Sequence, residues 1–200
     1  MIRISQIACP LDADGKYVQM AARALHVRLE EIDDVRVCKK SVDARDKRNV
    51  HFSLTLDVRM KRPIAHLPKN AEALPDPAPA APVAKAKPMR NRPIVVGMGP
   101  AGLFAALHLA QAGLKPLVIE RGKSVEERAH DVETFWSGGV FSPASNVQFG
   151  EGGAGTFSDG KLNSGIKDVR CRRVLEAFAR MGAPEEILYQ AKPHIGTDRL

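Results

Sequence analysis

The 200-residue sequence is poor in cysteine and aromatic residues and has no apolar leader. Cys9, Cys38 and Cys171 are its only cysteines, and no two of them form a C-x-x-C pair. Three thiols exclude a disulfide scaffold and a four-thiolate zinc site, and their odd number points to a reducing compartment. Met1–Lys16 reads MIRISQIACPLDADGK, which lacks the apolar h-region of a signal peptide. Ile94–Leu114 carries no formal charge over 21 residues, long enough to span a bilayer. It is interrupted, however, by Gly97, Gly99, Pro100, Gly102, His108 and Gln111, which argues against a membrane span. A cytoplasmic protein without membrane association is expected. With 44% hydrophobic and 26% charged residues, the composition is that of a globular chain rather than a disordered one.

The formal charge of +7 is unevenly distributed: +4 in residues 1–66, +3 in 67–92 and zero in 93–200. A basic chain raises nucleic acid as a partner. Here the excess is confined to the first part and the linker, so nucleic-acid binding is not expected of the C-terminal part. The Arg45/Lys47/Arg48 tip of a predicted hairpin is the one candidate phosphate contact, and a solvated turn explains it as well.

Residues 67–92 form the domain boundary. Pro68, Pro75, Pro77, Pro79, Pro82 and Pro88 punctuate an Ala/Lys background, which neither helix nor strand can cross, so a semi-extended linker is expected. Residues 1–66 predict a small β-α-β-β domain. Ile2, Ile4 and Ile7 mark a first strand. Lys16–Ile32 reads as a helix with Val18, Ala21, Ala22, Leu25, Leu29 and Ile32 on one face. Val35–Val42 is a second strand. Val50, Phe52, Leu54, Leu56 and Val58 alternate with polar residues in a third, half-buried strand. About 66 residues are marginal for independent stability, so this domain should lean on something else.

The chemistry begins after the linker, in residues 93–200. Pro93–Val96 is a short apolar strand, followed at once by Gly97-Met98-Gly99-Pro100-Ala101-Gly102 and a helix over Ala101–Ala112 that Gly113 stops. Leu114–Ile119 is the next strand, and Glu120 closes it. In this G-x-G-x-x-G pattern Gly97 permits the tight turn, Gly99 lets the backbone approach a pyrophosphate, and Gly102 lets the helix pack close to the strand. The helix N-terminus, with Pro100 and Ala101 in its first turn, offers free N–H groups and a positive dipole end to phosphate. Glu120, 18 residues after Gly102, can accept hydrogen bonds from ribose hydroxyls. FAD and NAD share this fingerprint. Glu120 disfavours a 2′-phosphate; Arg121 could swing round to an NADP phosphate, but more simply lies over the adenine or caps the helix dipole.

The order of elements favours FAD, because a second glycine-rich stretch, Ser137–Gly165, follows the second strand. It holds eight of the chain's 16 glycines and centres on FGEGGAGTFSDGKL, from Phe149 to Leu162. Gly152 and Gly153 can aim backbone N–H groups at an anion or a ring edge, and Lys161 could steady a reduced isoalloxazine. Gly155–Lys161 also matches G-x-x-x-x-G-K. Leu162 stands where a P-loop needs Ser or Thr, so nucleotide hydrolysis is not expected. No metal cluster and no catalytic residue is assigned. Ser124-Val125-Glu126-Glu127 starts a capped helix that runs to Trp136, which is expected in the core. Asp168–Met181 is an amphipathic helix with Cys171, Val174, Leu175 and Phe178 inward.

Ile94–Arg121 resembles the FAD-binding start of the two-dinucleotide-domain flavoproteins. Together with FGEGGAGTFSDGKL and Pro193-His194-Ile195-Gly196-Thr197-Asp198, it is similar to a bacterial group of FAD-dependent dehydrogenases, also termed NAD(P)/FAD-dependent oxidoreductases. The resemblance implies a small α/β domain ahead of a Rossmann-like FAD-binding domain. It implies FAD held by Gly97, Gly99, Gly102 and Glu120, with NAD(P)H as a candidate electron donor. Members of that group are far longer, so the chain is expected to be an N-terminal portion, inactive alone, with an incomplete parallel sheet. Two alternatives remain: an NAD(P) enzyme without flavin, and a flavoprotein acting on RNA. The resemblance names no substrate and no oligomeric state.

Overall fold

A computed structural model of the chain describes residues 1–76, 83–166 and 168–196. Pro77, Pro79 and Pro82 of the linker, and Thr197 and Asp198 of the last motif, lie outside the described residues. The chain is mixed α/β and divides into two compact units: Met1–Ala78 with Lys161–His194, and Pro79–Gly160 with Ile195–Leu200.

The first unit is an antiparallel sheet in the order β2-β3-β1-β4, with one helix on its apolar face. Its strands are β1 (Ile2–Pro10), β2 (Ile32–Asp43), β3 (His51–Met60) and β4 (Ala71–Ala73), and its first helix is α1 (Tyr17–Leu25). The core joins Ile2, Ile4, Ile7 and Cys9 to Leu54, Leu56 and Val58 under Ala21, Ala22 and Leu25. The isoleucine spacing of two and then three is the trace of a β-bulge. Ile2 and Ile4 face Val58 and Leu56, the register then shifts, and Ile7 faces Leu54. Gln6, at φ 57°, takes up the extra residue and keeps all three isoleucines on the core side. A second shift between Val37 and Lys39 does the same in β2 and turns Lys40 to the apolar side, where its ammonium lies 4.2 Å from the centre of the Phe52 ring. On the other face Arg3 grips the buried Asp57 carboxylate through two bonds of 2.7 and 2.8 Å.

Three elements differ from expectation. The first helix stops at Leu25, where His26 adopts the left-handed conformation of a C-terminal cap at φ 56°. Glycine ordinarily signals such a cap, and none is present here. Ile32 consequently opens β2 rather than closing the helix. The proline-rich segment contains β4, whose Ala71 and Ala73 pair with Ile4 and Ile2. Third, the C-terminal helix α4 (Val169–Arg180) belongs to this unit, capped by Asp168 at its start. The segment after it docks on edge strand β2. The Lys40 N–H donates to the Tyr189 carbonyl at 2.8 Å, and the Ala191 N–H donates to the Lys40 carbonyl at 2.9 Å. An exposed strand edge is covered in this way.

The second unit holds a two-stranded parallel sheet, β5 (Ile94–Val96) and β6 (Leu117–Ile119), joined through helix α2 (Pro100–Gln111). Helix α3 (Val125–Trp136) follows, capped by Ser124, whose hydroxyl accepts the Glu127 N–H. No third strand joins β5 and β6 among the described residues, and their side chains are poorly covered; Val96 is 82% exposed. Trp136 is 67% exposed rather than part of the core. It lies on the last turn of α3, whose inward positions are taken by Arg128 and Val132. No helix is long and apolar enough to cross a membrane among the described residues.

The first unit's stability should rest on its sheet–helix core. Leu56 is fully buried there. Leu56→Ala should destabilise the protein by about 2–5 kcal/mol, read as a lower urea midpoint in far-UV circular dichroism. A midpoint unchanged from the parent would place the core elsewhere.

Candidate dinucleotide site

The second unit is built around the turn from β5 to α2. The Gly97 N–H donates to the Ile119 carbonyl at 2.7 Å and extends the parallel ladder by one bond. Gly97 then turns the chain at φ 94°, in the left-handed region. Gly102 is required for a different reason: a Cβ there would lie 1.9 Å from the Gly97 carbonyl oxygen. Helix and strand can approach this closely only without a side chain. Gly99 shows the opposite, with no atom within 4 Å of the place a Cβ would occupy. That open space lies at the N-cap of α2, with Pro100 in the helix's first turn. The N–H groups of Ala101 and Gly102 fall in that first turn, where no intrahelical carbonyl is available to them. Pro100 lacks an N–H and costs the turn nothing.

Glu120 ties this turn to the end of β6. One carboxylate oxygen accepts the Met98 N–H at 2.6 Å and the other accepts the Gly122 N–H at 2.8 Å. The Gly122 and Met98 amides hold its carboxyl below the ordinary value of 4.5. Glu120 is therefore a structural clamp before any ligand arrives. With the Arg121 amide also acting on it, the carboxylate still has acceptor capacity left for a hydroxyl. The Arg121 guanidinium lies 5.6 Å from the centre of the Phe149 ring.

The second glycine stretch packs on the first. The Gly152 N–H donates to the Met98 carbonyl at 2.9 Å. A Cβ on Gly153 would meet Pro100 at 3.1 Å and Gly99 at 3.3 Å. The Gly150 backbone crosses Gly122 so closely that a Cβ on Gly122 would lie 2.4 Å from the Gly150 Cα. Asn146 shapes the entrance to this loop, accepting the Gln148 and Phe149 N–H groups on one side-chain oxygen and donating to the Ser142 carbonyl. The Glu151 carboxylate accepts the Val125 N–H at the start of α3, at 2.8 Å.

One central residue was not singled out in the sequence. Arg128 on α3 is fully buried. Its guanidinium donates to the carbonyls of Asn146 at 2.7 Å, Glu151 at 2.5 Å, Val147 at 2.9 Å and Gly153 at 2.8 Å. The Phe157 ring stacks 4.7 Å away. Burial pulls its pKa below the ordinary arginine value, though an arginine stays charged at neutral pH. A sequence signal existed only in combination: an arginine on the inward face of a capped helix, followed by a loop with many carbonyls and few side chains.

The predicted site residues thus divide. Gly97, Gly99, Pro100, Ala101, Gly102, Glu120, Arg121, Gly152 and Gly153 all belong to the second unit, and the two glycine segments touch. Lys161 belongs to the first unit, where it pairs with His194 across an isolated antiparallel bridge. Gly153–Phe157 is a short 3-10 turn, and among the described residues no helix follows Lys161 until Val169, so the G-x-x-x-x-G-K match does not form a phosphate loop. No group of His, Cys, Asp and Glu suited to a metal ion occurs among the described residues.

A strand, a glycine turn, an open helix N-terminus and an acid closing the next strand define the dinucleotide-binding class of α/β domain. Comparison with known proteins narrows the class. Residues 92–157 match the family model of an FAD binding domain, which takes in the first glycine turn and the second glycine stretch as far as Phe157 and ends before Lys161. Residues 1–59 match a domain of unknown function, DUF8436. An uncharacterized protein of Clostridium beijerinckii is 42% identical over 204 residues, an alignment covering 100% of this chain and 38% of the relative. The chain therefore spans 38% of the length of that curated relative.

Two outcomes follow from this geometry. Gly102→Ala forces α2 away from β5 and should cost about 1–3 kcal/mol, read as faster hydrogen exchange in α2 and β5 with the first unit's exchange unchanged. Unaltered exchange in α2 would mean that the close approach does not exist. The Glu120 clamp should also be pH-sensitive. Its folded carboxyl lies below 4.5, so the stability it contributes is complete above pH 4.5 and is lost as pH falls through the depressed folded value. The Met98 and Gly122 amides should lose exchange protection over that acid range, and Glu120→Gln should abolish the pH dependence.

Proposed function

We propose that the chain carries the FAD-binding part of an FAD-dependent oxidoreductase whose complete form is longer. The observation that supports this most strongly is the seating of Gly152 and Gly153 on the Gly97–Gly102 turn, within the segment that matches an FAD binding domain. A simple NAD dehydrogenase needs only the first turn, whereas here a second glycine backbone approaches the same place. When bound, FAD supplies the capacity to accept and pass on a hydride or single electrons.

The chain's own residues bind and orient. Gly99 leaves the space that a pyrophosphate needs. Ala101 and Gly102 present N–H groups at the positive end of the α2 dipole. Glu120 accepts ribose hydroxyls, and Arg121 borders the adenine side. NAD(P)H is the electron donor, the compartment is the cytoplasm, and the first 200 residues alone do not turn over substrate. Nucleic acid is not a partner. At the hairpin tip Arg45 is bonded to Asp43 and Arg48 to Asp46, so two of the three cations already face carboxylates.

The test is Gly99→Val. Because no atom lies within 4 Å of a Cβ at Gly99, the variant should fold and melt like the parent. Its side chain fills the cofactor's space, so FAD affinity measured by flavin fluorescence quenching should fall more than about a hundredfold, or about 3 kcal/mol. Undiminished FAD binding by a folded Gly99→Val protein would sink the assignment.

A further inference from the structure

Arg128 has features that an ordinary structural arginine lacks. Its guanidinium is fully buried and forms no direct ion pair among the described residues, the Glu120 carboxylate acting on it only from a longer distance. A buried charge without a counter-ion is costly unless every donor is satisfied. Here four of the five N–H groups meet backbone carbonyls, and an aromatic ring covers the guanidinium face. The planar fork of donors sets where those carbonyls lie, which a lysine's point charge cannot do.

The carbonyls all belong to the second glycine stretch. In a trans peptide the C=O and N–H point in opposite directions, so each carbonyl drawn inward turns the next N–H outward. For the Glu151–Gly152 peptide the consequence is visible. The Glu151 carbonyl accepts from Arg128, and the Gly152 N–H on the far side of that peptide donates to the Met98 carbonyl. Met98 in turn donates its own N–H to Glu120. One chain of hydrogen bonds therefore runs from the guanidinium, through the second glycine loop and the first glycine turn, to the acid that closes β6. Gly150 leaves room for it: a Cβ there would lie 2.7 Å from the Arg128 Cδ.

We propose that Arg128 is a positioning residue of the dinucleotide site: its guanidinium fork holds the Asn146–Gly153 backbone in the conformation that seats Gly152 on Met98 and completes the cofactor cradle. The dependence of FAD affinity on this fork rests on the FAD binding proposed above. The seating of the loop does not, and it is read separately.

The experiment uses the full 200-residue chain and the variants Arg128→Lys and Arg128→Ala. Hydrogen exchange of the apo-protein reads the Gly152 amide, and FAD titration reads affinity. Arg128→Lys keeps the charge and loses the fork. Gly152 should exchange faster and FAD affinity should drop by about tenfold or more, while exchange in β5 and α2 stays at the parent level. In Arg128→Ala, millimolar guanidinium chloride should restore both, and the same concentration of sodium chloride should restore neither. Parent-level exchange at Gly152 in Arg128→Lys would overturn the proposal. So would losses that simply follow general loss of protection across β5 and α2, because Arg128 would then be a stability residue alone. If the parent chain binds no FAD, the functional assignment falls, and the Gly152 exchange and its guanidinium rescue still decide the role of Arg128.

Discussion

The second unit is organised by a buried charge that forms no direct ion pair among the described residues. Few of its apolar side chains are buried among the described residues and its sheet has two short strands, so burial of hydrocarbon does little to fix the loop that follows α3. The Arg128 guanidinium does so instead, by gathering carbonyls from Asn146 to Gly153. Hydrogen bonds to a charged donor are stronger than neutral ones, and burial leaves water no access to compete. A loop rich in glycine has the most conformational freedom to lose. A rigid, multidentate anchor is the physical counterpart of that freedom. The glycines supply the close approaches, and the arginine selects one arrangement among the many they allow.

The first glycine turn is fixed by the same kind of interaction with the opposite polarity. There an anion, Glu120, gathers N–H groups from Met98 and Gly122. Cation on carbonyls and anion on amides are linked through the Gly152–Met98 bond. The two charged groups thus hold two backbone segments against each other. That arrangement suits a ligand recognised through the peptide backbone, as a pyrophosphate is. The first unit works differently. Its core is hydrocarbon, and its polar groups serve the sheet's outer face and edge, through Arg3 with Asp57 and the Tyr189–Ala191 segment along β2.

Much of this was legible in the sequence where one residue type has one reason to be present. Gly97 and Gly102 were read from spacing alone, and their φ angle and close contact supply the reasons. The capping pattern from Ser124 located the start of α3. The isoleucines at positions 2, 4 and 7 marked β1, and the bulge behind their uneven spacing came only from the pairing with β3. Other features had no local cue. His26 caps α1 in a conformation that glycine usually signals, so the helix was expected to run on to Ile32. Ala71–Ala73 has neither β-branched residues nor alternation, and it becomes a strand because β1 offers it an edge. Trp136 is expected in the core, but it lies on the last turn of α3 with Arg128 and Val132 taking the inward positions.

The sequence by itself determined the turn chemistry: which glycines are needed, where an acid closes the second strand, and that the site is of the dinucleotide kind. Those features act over a few residues, and sterics or spacing dictates them. Only the tertiary structure decided that the second glycine stretch rests on the first, that Glu120 is already engaged by backbone amides, and that α4 belongs to the unit of residues 1–78. It also decided that a buried Arg128 stands at the centre of the loop. Each of these depends on which distant carbonyls and amides are brought within hydrogen-bonding distance. Backbone groups are the same at every position, so a sequence carries no mark of which of them will meet.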